Sequence, residues 1–524
     1  MEEDIAMRPH VCTCSARNKR GLAHLFRFAA TSLAFVTLLS SAALAQPAVT
    51  VSPKSGPPAD KVAVSGTGFA ADEAVDIYFD TTALALAATG PGGAFTGIHL
   101  TVPASSVPGG HWITGVGRHS GLAAQVSFIV QTNWPQFRGG RQHDGYNSTE
   151  NVLNVSNVAG LQLLWSAAID AGQSSPAVAS GLVYVGSDDS KLYAFNAATG
   201  HLVWTAATGG IVGSSPAVAN GVVYVGSFDY KVYAFDAATG RQIWSALTGL
   251  DVFSSPTVAN GAVYVGSADG NFYAFNAATG QQIWSASPDA GTDYQINSSP
   301  ALAKGLVYVA ADKLYAFNAA TGQEVWSAAA GGASSGSSPA VENGVVYLGS
   351  QDNNLYALSA ATGLQIWSAP TGGAIFSSPA VADGVVYVGS GDNSLYAFDA
   401  ATGRQLWKAA TGSFVESSPA VANGVVYVGS DDHNLYAFEA ATGRPLWSVP
   451  TGNAVYPSPA VANGIVYVTS YDGYLYAFGL PPVRPPAKPN LLGGQAIVGR
   501  PILAAAAFIG GSGRLKAVLR GESQ

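Results

Sequence analysis

A segment of about forty residues, copied eight times, limits this chain more than any other feature. The motif Ser-Ser-Pro-Ala-Val returns with small changes. Its prolines are Pro176, Pro216, Pro256, Pro300, Pro339, Pro379, Pro419 and Pro459, spaced by 40, 40, 44, 39, 40, 40 and 40 residues. Each copy continues through an Asn-Gly-like turn, Val-Tyr-Val-Gly-Ser, a loop with aspartate, Leu-Tyr-Ala-Phe, Ala-Ala-Thr-Gly and a tryptophan. Val-Val-Tyr-Val and Leu-Tyr-Ala-Phe are β-branched or aromatic runs of strand length. Asn220-Gly221, Asn260-Gly261, Asn423-Gly424 and Asn463-Gly464 suit two-residue hairpin turns, which need positive φ. One copy therefore holds four short antiparallel strands, and that period predicts a β-propeller blade.

The ends of the array say how the ring closes. A lone tryptophan strand, Leu163-Leu164-Trp165-Ser166, precedes the first copy, and the last copy stops after Tyr476-Ala477-Phe478 without one. Strand Trp165 can complete the last blade and remove both open edges. The fold class expected is all-β: an eight-bladed β-propeller over residues 159–478 with a small N-terminal β-sandwich. The sandwich is placed at 46–131, where Lys61-Val62-Ala63-Val64 and Ala74-Val75-Asp76-Ile77-Tyr78-Phe79 alternate. A lead-in spans 132–158.

Residues 1–45 read as a signal peptide. Arg8, Arg17, Lys19, Arg20 and Arg27 precede an apolar stretch from Phe28 to Leu44, and Ala43-Leu44-Ala45 fits a cleavage signal. Both cysteines, Cys12 and Cys14, fall inside that segment. Its removal would leave no disulfide, thiolate metal site or cysteine nucleophile. The chain is therefore expected to be exported, to the periplasm, the cell surface or the medium, with no transmembrane segment in the mature form. Residues 479–524 read as a Pro-rich, basic, disordered tail.

Charge narrows the function classes. The propeller region has 8 Lys/Arg against 21 Asp/Glu, a net of −13, while the tail carries six basic residues and one acid. An acidic surface does not favour nucleic acid.

The run Ala194-Phe195-Asn196-Ala197-Ala198-Thr199-Gly200 with Trp204 resembles the tryptophan-docking motif of pyrroloquinoline-quinone (PQQ)-type propellers, including the BamB-like group. The motif tryptophans are Trp204, Trp244, Trp284, Trp326, Trp367, Trp407 and Trp447, with Trp165 as the detached eighth. The lead-in Trp134-Pro135-Gln136-Phe137-Arg138-Gly139 also looks like this family, and Gly66-Thr67-Gly68-Phe69 is similar to bacterial immunoglobulin-like modules. The resemblance implies structural, inter-blade tryptophans. It also implies two roles: dehydrogenases that use PQQ with calcium, and envelope factors that bind protein partners without a cofactor.

The sequence favours the second role. PQQ-dependent alcohol dehydrogenases stack the cofactor on adjacent cysteines, absent from the mature chain, and cations for its three carboxylates are scarce. Asp189, Asp229, Asp269, Asp312, Asp352, Asp392, Asp432 and Asp472 recur in the same loop of every copy, which reads as turn chemistry. No catalytic, cofactor or metal residue is assigned. The copies diverge in the loops of one propeller face instead. Phe228, Tyr230, Asp251, Phe253, Tyr294, Gln295, Phe376, Phe414, Glu416, Tyr456 and Tyr471 form the candidate binding face. A protein or cell-envelope partner and a monomeric chain are expected. PQQ-dependent oxidation of alcohols or sugars is the alternative.

Overall fold

Alternating apolar residues build the N-terminal part first. In the computed structural model, which describes residues 46–481 except 171, 289–294 and 332–335, Lys61–Thr67 and Ala74–Phe79 turn every second side chain inward. Lys61–Thr67 lies between Ala48–Ser52 and Phe95–Thr101 in a three-stranded sheet. Ala74–Phe79 belongs to a five-stranded sheet with Thr82–Ala88, Gly109–Gly117, Ala123–Val130 and Ser55–Gly56. Val62, Val64, Val75, Ile77, Ile113 and Phe128 share one core between the two sheets. The expected signal peptide and the basic tail beyond residue 481 lie outside the described residues.

Eight four-stranded units follow. Blade 1 runs Ala177–Ala179, Leu182–Gly186, Lys191–Asn196 and Leu202–Ala207, each antiparallel to the next. The first turn of each blade is the two-residue kind that the sequence demands: Asn220 and Gly221 sit at φ 51° and 77°, and Asn463 and Gly464 at 56° and 74°. Blades 2 to 7 repeat this order. Blade 8 takes its outer strand from the other end of the array. Gln162–Ala168 pairs antiparallel with Tyr474–Gly479, so the ring closes by main-chain hydrogen bonds.

Tryptophan joins neighbouring blades. The Trp204 indole donates to the Ala237 carbonyl of the next blade at 3.1 Å, and Trp244 donates to Ala277 at 2.9 Å. A tyrosine from the second strand reaches the same carbonyl, as Tyr184 does to Ala237 at 3.1 Å. The Thr-Gly turn fits beneath the ring: Gly240 has φ 72°, and a Cβ there would stand 2.6 Å from the Trp204 ring. Glycine is required on both counts. A bulge in the outer strand, between Ala194/Trp204 and Phe195/Leu202 in blade 1, offsets its register just before the indole.

The axis is built from serine. Ser175 N–H donates to Ser215 Oγ, Ser215 to Ser255, and so on through Ser299, Ser338, Ser378 and Ser418 to Ser458, which returns to Ser175. The eight bonds, 2.9–3.2 Å long, make a closed ring. The preceding serine pins its own blade, as Ser214 Oγ accepts from Gly226 N–H at 2.7 Å. Each serine of the repeated pair therefore has its own bond to make.

Candidate binding face

Two loops of each blade face the same way: the one that leads into the innermost strand and the one between the second and third strands. The first ends directly at the serine ring. The residues just before the serines stand at the mouth of the axis: Gln173, Gly213, Phe253, Asn297, Gly336, Phe376, Glu416 and Tyr456. One residue earlier, Val212, Val252, Ile296, Ile375, Val415 and Val455 are buried and anchor the loops. Anchoring leaves the mouth residue free to vary while the backbone stays in place.

The sequence candidates fall into separate groups here. The rings of Phe228 and Phe253 stand 4.2 Å apart at 52° across blades 2 and 3. Tyr456 and Tyr471 meet edge to face at 4.8 Å within blade 8. Phe376 occupies the space that a side chain at Gly336 would need. Phe414, Tyr230 and Gln295 are exposed, and Asp251 is half-buried with its carbonyl accepting from Ala268 N–H at 2.9 Å. Gln295 Oε1 accepts from Asn297 at 3.2 Å. Tyr294 lies outside the described residues.

Carboxylates complete the mouth. Burial pushes the Asp431 carboxyl up to about 6, and the charges of Glu416 and Asp432 add to the rise. Burial also raises Glu416. Asp188 is raised by burial and then by Asp170 and Asp189. Burial raises the Tyr471 hydroxyl pKa, and the nearby Gln173 side chain partly offsets the rise. An arc over blades 7, 8 and 1 thus carries tyrosine and carboxylate, with phenylalanine on either side. Asp188, Asp431 and Gln173 were not among the sequence candidates. Their signal was available: Asp188 and Asp431 share one variable loop position, where other copies carry Phe228, Ala268, Gln351, Gly391 or Tyr471, and Gln173 stands at another, where they carry Gly213, Phe253 or Glu416.

The eight recurrent aspartates do something else. Asp432 Oδ2 accepts from Tyr436 Oη and from Gly412 N–H, each at 2.6 Å, and its Oδ1 accepts from Asn434 N–H at 2.9 Å. Corresponding tyrosine bonds recur at Asp189, Asp269, Asp352, Asp392 and Asp472. These carboxylates fasten loop to loop. Among the described residues no group of His, Cys, Asp and Glu is placed to hold a metal ion.

On the opposite side of the serine ring the lead-in circles the axis. Pro135, Arg141, Gln142, Asp144 and Gly145 offer carbonyls to Val218, Leu302, Val341, Val381 and Val421, at 2.7–2.9 Å. Trp134 pairs with Val178, Gln136 brackets Val258 with its side-chain amide, and Asn147 Nδ2 reaches the Val461 carbonyl. Every innermost strand is thus engaged. Arg138 fills the centre, its guanidinium on the carbonyls of Ser378, Pro379 and His143. His143 is fully buried with Nε2 2.9 Å from Thr257 Oγ1. Thr257 donates onward to the Pro300 carbonyl, so Nε2 carries the proton.

The likeness to known proteins follows this architecture. The Europium-containing methanol dehydrogenase structure aligns with TM-score 0.59 and 15% identity, over 66% of this chain and 98% of that one. BamB from Moraxella catarrhalis aligns with TM-score 0.54 and 19% identity, over 61% and 99%. Identities this low speak to fold alone. A curated relative, lupanine 17-hydroxylase [cytochrome c] of Pseudomonas sp, is 34% identical over 82 residues; the match spans 15% of this chain and 12% of that protein's length. The family model for outer membrane protein assembly factor BamB matches residues 150–313, 231–334, 310–413 and 406–479, from the lead-in to the last strand of the ring. The chain belongs to that BamB family of PQQ-like β-propellers.

Proposed function

We propose that this chain is an exported, non-catalytic binding protein that holds a protein or cell-envelope partner on the loop face of the propeller. One observation carries the reading. Variation among eight near-identical copies concentrates around the axial mouth, where Phe253, Phe376 and Tyr456 are mouth residues, Phe414 is exposed two residues before Glu416, and Tyr456 lies near Glu416 and Asp431. Aromatic side chains ringed by polar groups suit protein recognition. The family description, an outer membrane assembly factor, fits the same role. The immunoglobulin-like reading of residues 46–131 and the export signal of residues 1–45 belong to this proposal. Among the described residues no helix is long and apolar enough to cross a membrane.

The residues present do not fit PQQ. Its three carboxylates would meet Asp188, Glu416 and Asp431 at the mouth. On this face Lys191, Lys231 and Lys408 are held by Asp189, Asp229 and Asp392. No reaction step is therefore assigned to that cofactor.

The test replaces Phe253, Phe376, Phe414 and Tyr456 together by serine and compares cross-linking to isolated envelope components. Lost capture at an unchanged melting temperature supports the reading, and unchanged capture refutes it. Mixing the wild-type chain with PQQ and calcium, followed by dye-linked oxidation of alcohols and sugars, tests the alternative.

A further inference from the structure

The turn face, opposite the proposed partner surface, holds a cavity of about 370 Å³ between blades 4 and 5. Arg141 and Lys304 both line it, with Gln142 and Asn343 as amides and Leu302 and Val341 as apolar wall. Lys304 is one of only 8 basic residues in the propeller region, against 21 acids, and the lead-in brings a second cation, Arg141, to the same cavity. Neither side chain forms an ion pair or hydrogen bond among the described residues. Burial raises the neighbouring acid, Glu342, and the like charges of Asp144 and Asp383 raise it further.

Backbone contacts fix the main chain that carries the two exposed cations. The Arg141 carbonyl accepts from Leu302 N–H at 2.7 Å, and Lys304 follows Leu302 by two residues on the same strand and turn. The Gln142 carbonyl accepts from Val341 N–H at 2.9 Å and fixes the far wall. The lead-in covers the equivalent turns of blades 6, 7, 8 and 1, through Tyr146 on Asp383, Leu153 on Asn423, Thr132 on Asn463 and Asn133 on Ser180. The turns of blades 4 and 5, with Lys304 and Asn343 exposed, are left open.

Lys304 also goes against local preference. It sits at φ 48°, in a turn position where five other copies place asparagine: Asn220, Asn260, Asn343, Asn423 and Asn463. Asparagine tolerates the left-handed region better than lysine. A residue that is poor for its turn and good for its cavity points to the cavity as its reason.

We propose that this cavity binds a small organic carboxylate, with Arg141 and Lys304 on the carboxylate and Leu302 and Val341 against an apolar body. A guanidinium supplies paired donors that match a carboxylate, and the volume lies in the range of small-molecule sites.

Calorimetry and ligand-observed NMR on the full chain would test it, with 3-phenylpropionate, succinate and inorganic phosphate as probes. Saturable binding of 3-phenylpropionate is expected, weaker by at least about tenfold in Arg141→Gln and in Lys304→Asn and lost in the double variant. Lys304→Asn installs the residue of the other copies, so its fold is secure, and melting temperatures check this. Equal binding by the double variant would overturn the proposal. So would phosphate binding as tight as the carboxylates, or no signal from either method up to about 10 mM probe.

Discussion

Trp134 and Val178 exchange both of their main-chain hydrogen bonds, at 2.8 Å each way. The lead-in thus begins with a single-residue antiparallel bridge to the innermost strand of blade 1 and then visits the other seven blades. Its central anchor is Arg138, which is buried and bonded to three carbonyls. Arg138→Ala strands those carbonyls at about 1–3 kcal/mol each, and the loss should show as a lowered midpoint in urea unfolding. Arg138→Lys cannot reproduce the fork and should recover only part of it.

His143 predicts an acid limit. Burial pushes its pKa down to about 3, and the Arg138 charge pushes the same way. A folded value below the unfolded 6.5 gives stability that is fully present above 6.5 and is lost as pH falls towards 3. His143→Gln can keep the bond to Thr257 and cannot become charged. Its unfolding midpoint should change less between pH 6.5 and 3 than that of the wild type.

Two tryptophans at equivalent places should differ in worth. Trp244 donates to the Ala277 carbonyl, whereas Trp447 faces the one blade without an Ala-Ala-Thr-Gly turn and packs edge-on against Phe478 at 5.4 Å. Tyr427, its companion, has a buried hydroxyl with no hydrogen-bond partner among the described residues. Trp244→Phe should cost about 1 kcal/mol more than Trp447→Phe, measured by chemical denaturation.

Asp431 should titrate near neutrality. Its folded pKa of about 6 stands above the unfolded 3.8 because of burial first and Glu416 next. An acid raised on folding contributes stability that is fully present below 3.8 and is lost as pH rises through about 6. Asp431→Asn should flatten the stability profile across that window. Carbon-detected NMR of the Asp431 carboxyl would show the midpoint directly.

Much of the fold is legible in the repeat because each motif residue has a local task. Asn220-Gly221 must turn, Val-Tyr-Val must pair, and Gly240 must leave room for an indole. The offset of Trp165 foretells ring closure because an unpaired strand at each end of the array needs a partner. The binding face is less legible. Single copies show that Phe253 and Asp431 depart from the repeat, but no spacing says that Phe253 meets Phe228 or that Asp431 is pressed against Glu416. Thr257 in place of the usual alanine is a similar trace, explained only by His143.

The sequence by itself determined the blade, the number of blades and the strand that closes the ring, since these depend on turn chemistry and on periods of two and forty residues. Tertiary structure alone decided the path of residues 134–147, whose bonds reach partners up to more than three hundred positions away, as Asn147 does to Val461. It also decided the pairing of Arg141 with Lys304. Long-range contacts of this kind follow from closing a ring around an axis, and one copy of the repeat carries no record of that axis.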